Sequence, residues 1–136
     1  MSKLENMKDR QAYYEEKLKY EIDSWDLYDR IKKGEKIIIV DTRSIDAYEL
    51  EHIPDAIHLP HRAMTKETTA DFGKDFLYVT YCDGIGCNAS TKGALNLTKL
   101  GFRVKELIGG IDWWKRDKYE TKGTKGISGE KNVCGC

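Results

Sequence analysis

The sequence predicts an α/β domain in three layers, with a mainly parallel sheet between helices. Three observations carry that expectation. The runs "IIIV" at 37–40 and "FLYVTY" at 76–81 are apolar without alternation, as in strands covered on both faces. Helical patterns follow each of them. Strands that alternate with helices return to the same sheet in parallel. The chain has 136 residues, which suits one domain with a single core.

The elements follow in order. Residues 1–19 are charge-rich, and Leu4, Met7, Tyr14 and Leu18 share a helical face, so an accessory N-terminal helix packed on the domain is expected. In "EIDSWDLYDRIKKGEK", Asp23 or Ser24 caps a helix that Gly34 stops. "KIIIVDTR" is a buried strand, and Ser44 caps the short helix of "SIDAYELEHI". "HIPDAIHLP" turns at Pro54 and runs extended to Pro60. Residues 63–73 read as partly helical. "FLYVTYC" is a second strand, "NASTKGALNLTKLGF" a helix ended by Gly101, and "RVKELIGG" a third strand. "IDWWKRDKYE" is a short helix. Residues 121–136 are rich in Gly, Lys and Ser and read as a flexible tail ending in Cys-Gly-Cys.

Composition narrows the function. Hydrophobic residues are 40% and charged residues 34%, a globular composition. Formal net charge is zero, which argues against nucleic acid or an anionic membrane as partner. No stretch has the length of a membrane span, and the charged N-terminus has no apolar signal region, so a cytoplasmic location is expected. Four cysteines there read as reactive or metal-binding rather than as structural disulfides.

Sites in parallel sheets form at the carboxyl ends of strands. Asp41 and Cys82 both stand at that edge. After Cys82 come Asp83, Gly84, Ile85, Gly86, Cys87 and Asn88, and then small residues that open a helix. Gly84 and Gly86 permit positive φ, so successive amides can turn inward, and Asn88 is a candidate N-cap. Such an amide nest, backed by a helix N-terminus, stabilises a negative sulfur. A thiolate is the nucleophilic form of cysteine, and this one is placed to carry a second sulfur as a persulfide. The alternative is a strand-end cysteine buried as a small hydrophobe.

"IIIVDTR", "AYELEHIPDAIHLP", "YVTYCDGIGCNASTKGALNLTKLGF" and "LIGGIDWWKRDKYE" together resemble the successive blocks of a single rhodanese-like domain, spanning residues 20–120. The resemblance implies a sulfurtransferase with Cys82 as the sulfur carrier, needing no metal or organic cofactor. The donors it implies are thiosulfate, persulfides or polysulfide. The acceptors are cyanide, thiols and thioredoxin-like proteins. Asp41 and Arg43 resemble the family's D-x-R, with a supporting role in which Arg43 pairs with a carboxylate such as Glu49.

The loop departs from the family's common one. It is longer and holds no Arg or Lys between Cys82 and Thr91. A thiosulfate dianion would then rely on amides, or on Arg43, Arg62 or Lys92 reaching in, so a persulfide or polysulfide donor fits better. The sixth residue after Cys82 is Asn88, where a phosphatase of this fold needs an arginine fork. Cys87 either resolves a Cys82 persulfide as a disulfide or fills space at the loop base. A non-catalytic binding or redox-sensing module using a Cys82–Cys87 disulfide is therefore the second function class. Cys134 and Cys136 read as a sulfur relay or as incidental thiols. His52, His58 and His61 lack the spacing of a metal site, and His52 matches the family's structural histidine. Trp113 and Trp114 read as packing beside the loop.

Overall fold

The structure is a computed structural model and describes residues 3–129, with Cys134 and Cys136 lying outside them. Five strands form one sheet: β1 (Glu21–Ile22), β2 (Ile37–Asp41), β3 (Ile57–His58), β4 (Leu77–Tyr81) and β5 (Arg103–Leu107). Their spatial order is β1-β5-β4-β2-β3, and every pairing is parallel. The helices are α1 (Lys3–Tyr20), α2 (Ser24–Lys32), α3 (Ile45–Leu50), α4 (Ala89–Lys99) and α5 (Gly110–Arg116).

Alternation along the central strands sorts the core into two layers. Ile39, Leu77, Val79 and Tyr81 pack with Leu27 of α2 and with Ile111 and Trp114 of α5. Val40 and Tyr78 point the other way and pack with Leu97 of α4, Met64 and Phe102. This is the three-layer arrangement expected. β2 leads through α3 to β3 on one side, and β4 leads through α4 to β5 on the other. The chain therefore switches direction between β2 and β4, where Asp41 is in register with Tyr81. A crevice opens at such a switch point.

Caps behave as simple side-chain chemistry predicts. The Asp23 carboxylate accepts from the Asp26 amide, and the Ser44 hydroxyl from the Ala47 amide. Four details differ from expectation. The apolar face of α1 is not packed on the domain: Leu18 is 76% exposed, and Met7 and Tyr14 are also exposed. The helix is tied down near its end, where Lys105 Nζ donates to the Leu18 carbonyl. Residues Glu21 and Ile22 are a strand, because the β5 edge offers them a partner. Of residues 63–73, only Ala63 is helical, as the end of a 3-10 turn His61–Ala63, and the rest form turns braced by Thr65, Thr68 and Thr69 hydroxyls that satisfy local backbone groups. Residues 121–127 are docked: Lys122 bridges His52, and the Thr121 hydroxyl donates to Glu51.

α4 lies close on the sheet because Gly93 has no side chain. A Cβ there would meet Thr42 Cγ2 at 2.8 Å and Met64 Cε at 3.1 Å. Gly93→Val is expected to lower folding stability by about 1–3 kcal/mol through overpacking. Urea unfolding measures it, and an unchanged midpoint would contradict this packing.

Candidate active site

Cys82 directly follows β4 and is 3% exposed. Its Sγ is joined to that of Cys87 in a disulfide, with Cα atoms 6.2 Å apart. Of the two readings of Cys87, disulfide partner or space-filler, the structure shows the disulfide partner. The physical reason is the short turn between them. Gly86 takes φ of +96°, and the Cys87 amide donates to the Gly84 carbonyl at 3.4 Å. Gly84 serves differently from expectation. Its φ is not positive, but a Cβ there would meet Asp112 Cβ at 3.1 Å.

α5 holds the loop from outside. The Ile111 amide donates to the Cys82 carbonyl at 3.1 Å, and the Asp112 amide to the Asp83 carbonyl at 2.8 Å. Gly110 makes that approach possible, since a Cβ there would collide with the Cys82 carbonyl and lie 2.9 Å from the Asp83 carbonyl carbon. Trp114 is core, whereas Trp113 stays on the rim under the Arg116 guanidinium.

Below the loop lies a buried ionic hub. Asp41 is fully buried and the Arg43 side chain is 9% exposed. Arg43 Nη2 donates to Asp41 Oδ2 at 2.8 Å, and Nη1 to Asp83 Oδ1 at 3.2 Å. The guanidinium also donates to the carbonyls of Ala47 and Glu51. The Tyr81 hydroxyl donates to Asp41 Oδ2 at 2.6 Å and accepts from the Ile53 amide. Burial opposes the charge on Arg43, but the Asp41 carboxylate outweighs it and raises the guanidinium's pKa further. Burial and the Asp41 charge also push the Tyr81 hydroxyl up, so it stays a donor. Arg43 thus pairs with Asp41 and Asp83 and not with Glu49. Asp41 accepts from one backbone amide, that of Arg43.

The histidines are structural too. His52 Nδ1 lies 2.7 Å from the Tyr48 carbonyl, and His58 Nε2 lies 2.7 Å from that of Arg43. A carbonyl only accepts, so each of those ring nitrogens carries the hydrogen.

A cleft of about 170 Å³ opens on the disulfide. Gly84, Ile85, Gly86 and both cysteines line it, with Glu21, Glu106 and Ile108 opposite. Asp83 turns away toward Arg43, and Asn88 is exposed and caps nothing with its side chain. In place of that cap, the Ser90 and Thr91 hydroxyls donate to Glu106 Oε2, each at 2.7 Å. Glu21 is paired with Lys17 at 2.7 Å. Among the described lining residues there is no Lys or Arg, so Arg43, Arg62 and Lys92 do not enter the cleft. Sequence reasoning misses Glu106 and Glu21. The only signal for Glu106 is its place near the carboxyl end of the third predicted strand.

Comparison with known proteins agrees with this geometry. The family model for the rhodanese-like domain matches residues 24–117. Thiosulfate sulfurtransferase GlpE of Coxiella burnetii is 38% identical over 96 residues, which cover 69% of this chain and 82% of that protein. The crystal structure of the BH2092 protein from Bacillus halodurans is 44% identical with a TM-score of 0.84, covering 90% of each chain. The rhodanese-like domain of the Anabaena Alr3790 protein is 26% identical with a TM-score of 0.67, covering 84% of this chain and 90% of that one. The chain belongs to the rhodanese-like family and is a sulfurtransferase of that family.

Proposed function

We propose that the protein moves a sulfane sulfur from donor to acceptor through a persulfide on Cys82. The observation that carries this reading is the position of Cys82. It stands at the switch point of the parallel sheet, in a glycine loop, just ahead of the N-terminus of α4. With the disulfide reduced, the Cys82 thiolate attacks the donor's sulfane sulfur and expels the donor's leaving group. The amides of Asp83, Gly84, Ile85, Gly86 and Asn88, with the positive end of α4, hold the charge of the persulfide, while the Cys87 amide closes the turn onto the Gly84 carbonyl. Asp41 and Arg43 brace the loop and do not touch the reacting atoms. An acceptor thiol then takes the outer sulfur. The chemistry asks for a thiolate and no metal or organic cofactor.

The lining of the cleft favours one class of donor. A thiosulfate dianion would meet the Glu106 carboxylate in a cleft with no Lys or Arg among its described lining residues, with nearby Lys17 engaged by Glu21, whereas an alkyl persulfide brings at most one negative charge. The curated relatives are named for thiosulfate, so this is where the chain is proposed to depart from them. The mouth carries Ile85, 81% exposed, and Ile108, 40% exposed. That apolar rim suits an acceptor protein of the thioredoxin-like kind. No helix among the described residues is long and apolar enough to cross a membrane. A cytoplasmic setting would supply the thiols that keep the loop reduced.

A second reading is favoured by the disulfide itself: a redox-sensing module in which the Cys82–Cys87 bond forms and breaks without sulfur turnover. Peptide-resolved mass spectrometry separates the two. Reduced protein exposed to polysulfide is expected to gain sulfur on Cys82, and Cys82→Ser to gain none there. An unmodified Cys82 would leave only the sensing reading. The donor preference has its own test. Glu106→Gln is expected to raise kcat/KM for thiosulfate roughly two- to tenfold, the scale of one partly exposed charge contact. A small alkyl persulfide should gain less. Equal effects on both donors would remove Glu106 from donor selection.

A further inference from the structure

Two sulfurs face the same cleft, and the proposed transfer uses only one of them. Cys82 is buried, while Cys87 is half-exposed. Their Cα separation of 6.2 Å falls within the ordinary disulfide range of about 4.4–6.8 Å. The bond therefore closes within the loop geometry as it stands. Gly86 has a positive φ and open space on the side that a Cβ would occupy. It is the turn that brings Cys87 back onto Cys82.

We propose that Cys87 is a second catalytic residue, which turns the sulfur carrier into a reductase of sulfane sulfur that releases hydrosulfide. This rests on the Cys82 persulfide reading and deepens it. The Cys87 thiolate attacks Sγ of the Cys82 persulfide. The Cys82–Cys87 bond forms, the bond from Sγ of Cys82 to the outer sulfur breaks, and the outer sulfur leaves with the electron pair as hydrosulfide. The outer sulfur is reduced by two electrons, and the two cysteine thiols are together oxidised by two. The structure then corresponds to the enzyme after release. A dithiol completes the cycle. Its first thiolate attacks the more exposed sulfur, Cys87, and expels Cys82 as thiolate. Its second thiol displaces Cys87 and leaves as the oxidised disulfide. The order of exposure thus returns the buried nucleophile first.

The arrangement explains why a cleft poor in cations suffices. The product to be expelled is a small anion, and the flanking Glu106 carboxylate favours its departure over its retention. Cys87 also makes release independent of an external acceptor, so one donor molecule is consumed per reduced chain before any thiol is needed.

The test is a single turnover of the full-length protein, reduced and freed of reductant, with benzenethiosulfonate. The sulfinate that this donor leaves behind is no thiol acceptor, so sulfinate reports loading of Cys82 and hydrosulfide reports the Cys87 step. Wild type is expected to release one sulfinate and one hydrosulfide per chain and to end lighter by two hydrogens. Cys87→Ser is expected to release sulfinate alone and to end heavier by one sulfur. Cys134→Ser/Cys136→Ser is expected to behave as wild type. The proposal is overturned if wild type keeps the sulfur, if Cys87→Ser releases hydrosulfide equally, or if release depends on Cys134 and Cys136. In each of those cases sulfinate is still formed and the carrier reading survives. Absence of sulfinate from wild type would overturn both.

Discussion

The buried pairing of Arg43 with Asp41 is the contact on which the rest of the site depends. One guanidinium joins the end of β2, two carbonyls of the α3 region and Asp83 of the cysteine loop. Neither charge is stable there alone. Removing one partner of a buried pair costs about 3–5 kcal/mol, because the other is left uncompensated. Tyr81 shares Asp41 from the neighbouring strand, so the same carboxylate also fixes the end of β4. The residue after Tyr81 is Cys82, the proposed nucleophile.

That hub sets the loop from below, and α5 sets it from the side. The carbonyls of Cys82 and Asp83 are both taken by α5 amides, which Gly110 allows to come close. With both carbonyls turned outward to α5, the chain between Cys82 and α4 is left to wrap the cleft. A loop free of cations then has two chemical resources: main-chain dipoles for holding an anion, and a second thiol. In the proposed cycle the first supports a persulfide and the second disposes of one. Glu106 belongs to the same logic. It engages the Ser90 and Thr91 hydroxyls at the start of α4 and sets a carboxylate beside the cleft.

Much of this is legible in the residues. Unbroken β-branched and aromatic runs announce β2 and β4, and Asp23 and Ser44 mark helix starts that the structure caps as expected. The position of Cys82 at the sheet's carboxyl edge follows from the alternation of strands and helices alone. What stays hidden depends on partners far apart in the chain. β1 is two residues long and exists because β5 offers an edge. Arg43 sits among several carboxylates, and local spacing cannot choose Asp83 over Glu49. Glu106 reaches Ser90 across sixteen positions, so no window of sequence shows it. The docking of 121–127 is masked by a composition that usually means a loose tail, but Thr121 finds Glu51 and stays. The apolar stripe of α1 is visible in the sequence, yet its spacing cannot say that the domain leaves it uncovered.

The central claim is that the loop makes the Cys82 sulfur unusually nucleophilic. The chain carries its own reference thiols in Cys134 and Cys136. Reduced Cys87→Ser protein can be treated with iodoacetamide at mildly acidic pH, where an ordinary thiol with pKa near about 8.5 hardly reacts, and followed peptide by peptide. The account predicts that Cys82 is alkylated well ahead of the two tail cysteines. Alkylation of Cys82 no faster than theirs would contradict it.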